Sequence, residues 1–230
     1  MIADNLMQVQ GRIASACAAA KRPVQSVTLL AVSKTCAAEA VREAFAAGQR
    51  AFGENYVQEG LDKIEALADL RTQIEWHLIG PLQSNKTRAV AESFDWVHSI
   101  ERLKIAERLS AQRPAALAPL SVCIQVNVSG EASKSGVAPA DVAALAHAVA
   151  ALPRLRLRGL MAIPQVEGDF AAQRQPHLAL QALFESLQRD GLALDTLSAG
   201  MSADLEAAID AGATMVRIGT AIFGRRPAAA

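Results

Sequence analysis

Charge of one sign is the first thing missing: 23 basic residues balance 23 acidic ones in a chain of 230, for a formal net charge of zero. Neutralising phosphates calls for a clustered excess of Lys and Arg, so the balance argues against a nucleic-acid-binding surface and against a polybasic membrane patch. Cysteine is scarce too. Cys17, Cys36 and Cys123 are odd in number and share no Cys-x-x-Cys spacing. Neither a disulfide framework nor a thiolate metal site is therefore expected, and a reducing, cytoplasmic setting fits best. Long apolar runs are absent from the first segment, where Asp4, Asn5, Gln8, Gln10 and Arg12 are scattered among the apolar residues. No signal peptide or membrane span tolerates that pattern. Aromatics make up only 4% of the chain.

What is present is a 51% apolar composition over a length that builds one sizeable core, expected to be a single domain over residues 1–230. Short runs rich in β-branched residues predict strands at Val27–Lys34, Arg50–Glu54, Ile74–Ile79, Trp96–Ser99, Leu120–Val126, Leu157–Ala162, Thr196–Ala199 and Met215–Gly219. Between them, stretches rich in Ala, Leu and Glu predict helices at Ala38–Ala47, Tyr56–Ala66, Ser84–Ser93, Glu101–Arg113, Ala140–Ala151, Phe170–Arg189 and Ala203–Ala211, after a leading helix near Ala3–Ala20. Gly48, Gly191 and Gly212 stand where three of these should stop. Strict alternation is the mark of parallel βαβ units. With about eight strands it predicts an α/β fold, a (β/α)8 TIM barrel with an extra N-terminal helix. An open doubly wound sheet is the rival that the same alternation permits.

In such a barrel the chemistry lies at the C-terminal ends of the strands, and a phosphate commonly sits between the turns after strands seven and eight. Those turns read Leu197-Ser198-Ala199-Gly200-Met201-Ser202-Ala203-Asp204 and Arg217-Ile218-Gly219-Thr220-Ala221-Ile222-Phe223-Gly224. Small residues and hydroxyls there suit an anion, although strand-to-helix turns with Ser202 as an N-cap use the same residue types. Alternation through Thr28, Leu30 and Val32 puts Lys34 on one face with apolar neighbours. Facing the interior, its amine would be poorly solvated and its pKa would fall, as a Schiff-base lysine needs; otherwise it reaches out to water at a strand end. Arg217 shares its parity with Met215 and Gly219 and should point inward, where it needs an anion or an internal partner such as Glu54. His77 and His98 end strands three and four without metal spacing, so hydrogen bonding in the core is expected of them rather than ligation.

Together these residues resemble the YggS-type pyridoxal phosphate homeostasis proteins, whose barrel is like the N-terminal domain of alanine racemase. The matching stretches are Leu30-Ala-Val-Ser-Lys34-Thr35, Phe52-Gly-Glu-Asn55-Tyr-Val-Gln58-Glu59 and Trp76-His77-Leu-Ile-Gly80-Pro-Leu-Gln83-Ser-Asn85-Lys86. Further matches are Val126-Asn127-Val-Ser129, Lys134-Ser135-Gly136, Gly159-Leu-Met161-Ala-Ile163-Pro164 and the last two turns, in the expected order along nearly the whole chain. The resemblance implies that Lys34 holds pyridoxal 5′-phosphate as a Schiff base and that Arg217 faces the pyridine nitrogen. It further implies that Ser198, Ser202, Gly219 and Thr220 take the phosphate, with Asn55 and Met161 near the ring. Ala199 departs from the family, which usually carries Met there. Lys134 resembles a second lysine implicated in handing the cofactor on, although a solvated loop lysine looks the same. Arg225 and Arg226 form a short basic end that can attract phosphate or simply be an exposed tail.

An Arg donates to the ring nitrogen without protonating it, which leaves a weak electron sink. Racemisation also needs two acid/base groups on opposite faces of the substrate, and alanine racemases draw one, a Tyr, from a C-terminal domain. With the single tyrosine Tyr56 and little chain beyond Gly224, the expectation is a monomeric carrier, buffer or regulator of pyridoxal phosphate that touches apo-enzymes transiently. A low-activity amino-acid racemase is the alternative, and a cofactor-free Schiff-base aldolase at Lys34 is a third reading.

Overall fold

The structure, a computed structural model, describes residues 1–130, 135–165 and 168–224. Lys134, Arg225 and Arg226 lie outside the described residues. Eight parallel strands close into a barrel in chain order. They are β1 (Thr28–Val32), β2 (Ala51–Glu54), β3 (Glu75–Leu78), β4 (Trp96–Ile100), β5 (Leu120–Gln125), β6 (Leu155–Met161), β7 (Thr196–Ser198) and β8 (Met215–Ile218). The helices between and around them are α1 (Ile2–Ala19), α2 (Ala38–Ala46), α3 (Val57–Ala66), α4 (Thr87–Ser93), α5 (Leu103–Gln112), α6 (Val142–Ala150), α7 (Phe170–Arg189), α8 (Leu205–Asp210) and α9 (Thr220–Phe223). Closure is direct, with Thr28 opposite Met215 and Ala31 opposite Ile218 across the β1–β8 seam. That overturns the open-sheet alternative, which would leave two strands with free edges.

Side-chain alternation sorts the core into two regions. Outward residues such as Phe52, Trp76, Val97, Ile124, Leu160 and Val216 meet the apolar faces of the helices. Each large side chain buried there contributes about 1.5–3 kcal/mol. The barrel interior is different. An apolar group of Leu30, Val32, Ala51, Ile79 and Met215 and a second of Trp96, Cys123 and Met161 share it with the buried polar residues His77, His98, Ser198 and Arg217. A polar interior layer in an otherwise apolar barrel is costly unless each group is bonded, so it points to function. The leading helix α1 buries Leu6, Val9, Ile13, Ala16 and Cys17 on one face and packs against α2, α8 and α9. No helix among the described residues is long and apolar enough to cross a membrane.

Several boundaries move for local reasons. β1 stops at Val32 rather than Lys34, because the chain turns at Thr35, which takes φ +63°. The predicted helices at Ser84 and Ala140 open as 3-10 turns, Ser84–Lys86 and Pro139–Asp141, before α4 and α6 begin. α8 starts at Leu205, so Ser202 is not its N-cap; the Asp204 carboxylate instead accepts the Met201 N–H at 2.7 Å and holds a turn ahead of the helix. The short α9 has too few residues for periodicity to reveal it. Gly48, Gly191 and Gly212 all take the positive φ expected of helix stops.

Candidate functional site

The turns that leave the C-terminal ends of β1, β2, β3, β6, β7 and β8 enclose a cavity of about 340 Å³. Its walls are Val32, Lys34, Asn55, Ile79, Ile163, Met201, Ser202, Ala203, Arg217, Gly219 and Thr220. Six of the eight expected site residues, Lys34, Asn55, Ser202, Arg217, Gly219 and Thr220, therefore converge. Ser198 and Met161 do not line it: both are fully buried. Met161 packs with Trp96 and Cys123 inside the barrel, and the Ser198 hydroxyl is bonded to His98 and Arg217, 2.9 and 2.8 Å away.

Arg217 reaches the cavity from inside β8 as its parity requires. The alternative of an internal ion pair with Glu54 is not realised, because Glu54 is on the outer face of β2, paired with Lys63, and Arg217 is on the inner face of β8. Arg217 instead donates to three neutral acceptors: the Ser198 carbonyl at 2.6 Å, the Ser198 hydroxyl at 2.8 Å and the Ala162 carbonyl at 2.8 Å. Burial pushes its guanidinium down to about 10, opposed by the charge of Asp204, which still leaves it protonated at neutral pH. These bonds use part of its fork and fix the rest in place.

The turn carrying Lys34 is held from outside the barrel by Lys63, which sequence reading passed over, together with Glu54 and Glu59, whose joint role it did not assemble. Lys63 of α3 is buried and donates to the Ser33 carbonyl at 2.6 Å, to Glu54 at 2.8 Å and to Glu59 at 2.7 Å. The Ser33 hydroxyl donates to Glu54 at 2.6 Å, and the Thr35 N–H donates to Glu59. Burial pushes the Glu54 carboxyl up, against the pull of Lys63 beside it. The signal available in the sequence was the Glu59/Lys63 spacing of four residues on one helix face.

Two glycines set the remaining walls. A Cβ on Gly80 would lie 2.0 Å from the Asn55 carbonyl oxygen, so only glycine lets the β3 turn pass against Asn55. Gly200 has φ +93°, a Cβ there would lie 2.5 Å from that of Ala208, and its carbonyl accepts the Arg217 N–H at 3.0 Å. Behind that turn, Asp204 also bonds His177, 2.9 Å away and buried with it.

Three larger depressions, of 570, 720 and 430 Å³, lie elsewhere among the described residues. The first is lined by Arg50, Arg71 and Arg113, but Arg71 is bonded to Asp95 and the Ser93 carbonyl and Arg113 to the carbonyls of Ala91, Phe94 and Ala118. Those guanidiniums stitch strand and helix ends together. His77 and His98 bond to each other, 2.9 Å apart, as expected of core histidines, and the described residues hold no group of three or more metal-ligating side chains.

Comparison with known proteins bears on the family and the fold. The sequence profile described as alanine racemase, N-terminal domain, matches residues 6–227. A protein of Pseudomonas aeruginosa PAO1 named pyridoxal phosphate homeostasis protein is 64% identical over 225 residues, which is 98% of this chain and 96% of that one. Among solved structures, PipY of Synechococcus elongatus PCC7942 without PLP is 38% identical with a TM-score of 0.87, covering 97% of this chain and all (100%) of that one. The same protein with PLP bound is 37% identical with a TM-score of 0.84, again covering 97% and 100%. With profile, sequence and fold agreeing along nearly its whole length, the chain belongs to the alanine racemase N-terminal domain family, among the YggS-type pyridoxal phosphate homeostasis proteins.

Proposed function

We propose that the chain binds pyridoxal 5′-phosphate in the cavity at the C-terminal mouth of the barrel and acts in vitamin B6 homeostasis as a carrier and buffer of that cofactor. The observation that carries this reading is the donor set: one amine, one guanidinium, two hydroxyls and glycine backbone, with no carboxylate among the described lining residues. Such a lining suits a small anionic aldehyde. Asn55 Oδ1, buried with no hydrogen-bond partner among the described residues, fits a hydroxyl on a bound ring. The PLP-bound form of PipY supports the same reading.

In this assignment Lys34 is the covalent anchor, Arg217 meets the pyridine nitrogen, and Ser202, Gly219 and Thr220 take the phosphate. Asn55 stands beside the ring, Met161 packs behind the wall, and Ser198 acts from below by holding Arg217. When bound, the cofactor supplies an aldehyde carbon open to amines and a ring able to take up electron density. Arg217 donates to the ring nitrogen while keeping its proton, and so withholds the ring protonation on which broad carbanion chemistry relies. Lys34 is the one lining group suited to proton exchange, whereas inverting an amino acid needs acid and base on opposite faces. Tyr56, 61% exposed, is outside the lining. Delivery to apo-enzymes then requires only transient contact, by a monomer working in the cytosol.

Borohydride reduction followed by peptide mass mapping tests the assignment. A phosphopyridoxyl group on Lys34, lost in Lys34→Ala, is expected; an unmodified Lys34 overturns it. Incubation with L-alanine in deuterated water should give neither α-proton exchange nor inversion, and enzyme-like turnover would refute the carrier role.

A further inference from the structure

The Arg217–Ser198 bond is the first link of a chain that runs down the barrel interior. Ser198 Oγ is 2.9 Å from His98 Nδ1, His98 Nε2 is 2.9 Å from His77 Nδ1, and His77 Nε2 is 3.3 Å from a carboxylate oxygen of Glu75. The other Glu75 oxygen accepts from the Trp96 indole at 2.9 Å, and the Trp96 ring stacks on His77 with centroids 5.1 Å apart. Ser198, His98 and His77 are fully buried, while the Glu75 side chain, at the opposite end of the barrel, is half exposed.

The two ends of the chain and neutral rings set the direction of its links. The Glu75 carboxylate only accepts, so His77 gives it the Nε2 proton, and Arg217 only donates, so Ser198 Oγ accepts from it. With both imidazoles neutral, His77 Nδ1 accepts the His98 Nε2 proton and His98 Nδ1 accepts the Ser198 hydroxyl hydrogen. Burial lowers the pKa of each, well below the ordinary value for His98, where His77 and Arg217 push the same way. For His77 the nearby charges are Glu75 and Asp95, which oppose the shift, and Arg158, which adds to it. Glu75 is held down to about 2, chiefly by its bond to His77.

We propose that His98, backed by His77 and Glu75, is a positioning residue for Arg217, linking that guanidinium to a carboxylate at the far mouth of the barrel through a one-way chain of hydrogen bonds. A buried guanidinium needs counter-charge, and Asp204 supplies the nearest from behind the β7 turn, outside the cavity lining. The chain adds a second acid at the opposite mouth and passes its polarisation along neutral links without placing another carboxylate beside the cavity. The inference rests on the reading of Arg217 as the group facing the pyridine nitrogen.

Nitrogen-detected NMR of the wild-type protein without cofactor should find His77 and His98 as neutral Nε2–H tautomers between pH 6 and 8, a window of about two units around the ordinary histidine value. A protonated or Nδ1–H ring at either position overturns the chain. Pyridoxal phosphate titration of the intact chain is the second arm. His98→Leu should weaken binding by about tenfold, the effect of one hydrogen bond to a charged group, and move the visible absorption band of the bound cofactor. His98→Gln, which can accept from Ser198 and donate to His77, should restore affinity and band. A folded His98→Leu protein with wild-type affinity and spectrum refutes the positioning role. Wild-type protein that takes up no pyridoxal phosphate refutes the cavity reading itself, whatever the tautomers.

Discussion

Lys63 Nζ lies 2.6 Å from the carbonyl oxygen of Ser33, the residue immediately before Lys34. Glu59, which shares that ammonium, accepts the N–H of Thr35, the residue immediately after. Both peptide units flanking the anchor lysine are thus tied to one helix, α3, and the positive φ of Thr35 is held by that attachment. The backbone that carries the cavity's amine is fixed by a cluster outside the cavity lining.

Lys63→Met should therefore do two things at once. It strands the Glu54 and Glu59 carboxylates without their cation, which for a buried pair costs about 3–5 kcal/mol, and it releases the Ser33 carbonyl. Urea denaturation should register the loss of stability, and pyridoxal phosphate uptake should fall with it. Adding Glu54→Gln should recover part of the stability without restoring uptake. A single variant as stable as wild type would show that the cluster is not coupled to the anchor turn.

How much of this was legible in the sequence divides along a physical line. Strand positions follow from alternation, the barrel from the count of about eight strands, and the convergence of Lys34, Ser202, Arg217, Gly219 and Thr220 from where such barrels place their turns, all local or general rules. The Glu54–Lys63 pair was hidden because it joins the outer face of a strand to a helix, and parity alone does not name the partner. Ser198 was legible as a turn hydroxyl, but the direction of that hydroxyl is decided by Arg217 and His98, residues that are distant in sequence. The role of Asp204 in the β7 turn was masked by Ser202, an equally good capping residue.

Acid stability reports on the buried imidazoles. The folded pKa values of His77 and His98 lie below their ordinary 6.5, so below that pH the unfolded chain binds more protons than the folded one. Their contribution is full above about pH 6.5 and is lost as pH falls, with a slope approaching about 2.7 kcal/mol per pH unit for two protons. Glu75 adds a further loss between its ordinary 4.5 and about 2, while Glu54, pushed up by burial, titrates with the opposite sign. Denaturation measured from pH 5 to 8 should show the steep limb, flattened in His77→Gln/His98→Gln. A flat wild-type profile across that range would contradict neutral buried histidines.

Gly200→Ala tests the β7 turn. The substitution forces a side chain into φ +93° and against Ala208, so a loss of about 1–3 kcal/mol is expected. Because the Gly200 carbonyl also accepts the Arg217 N–H, cofactor affinity should drop as well. Gly48→Ala, at a helix stop with open space around it, provides the control: comparable strain, no change in affinity.

Arg217→Lys separates charge from geometry. A lysine keeps the positive charge and the approximate reach, but one ammonium does not reproduce a planar fork that meets Ser198 and Ala162 while presenting further donors to the cavity. If the cavity worked by charge alone, Arg217→Lys would retain pyridoxal phosphate and Arg217→Ala would lose it. The directional bonding described above predicts otherwise: both variants should release the cofactor at least about tenfold more readily than wild type, the effect of one lost charge-assisted hydrogen bond. Equilibrium titration by visible absorbance makes the comparison. Lysine alone matching wild type would mean that the cavity reads Arg217 as a charge, and the chain of donors from Arg217 to Glu75 would then have no bearing on the bound ring.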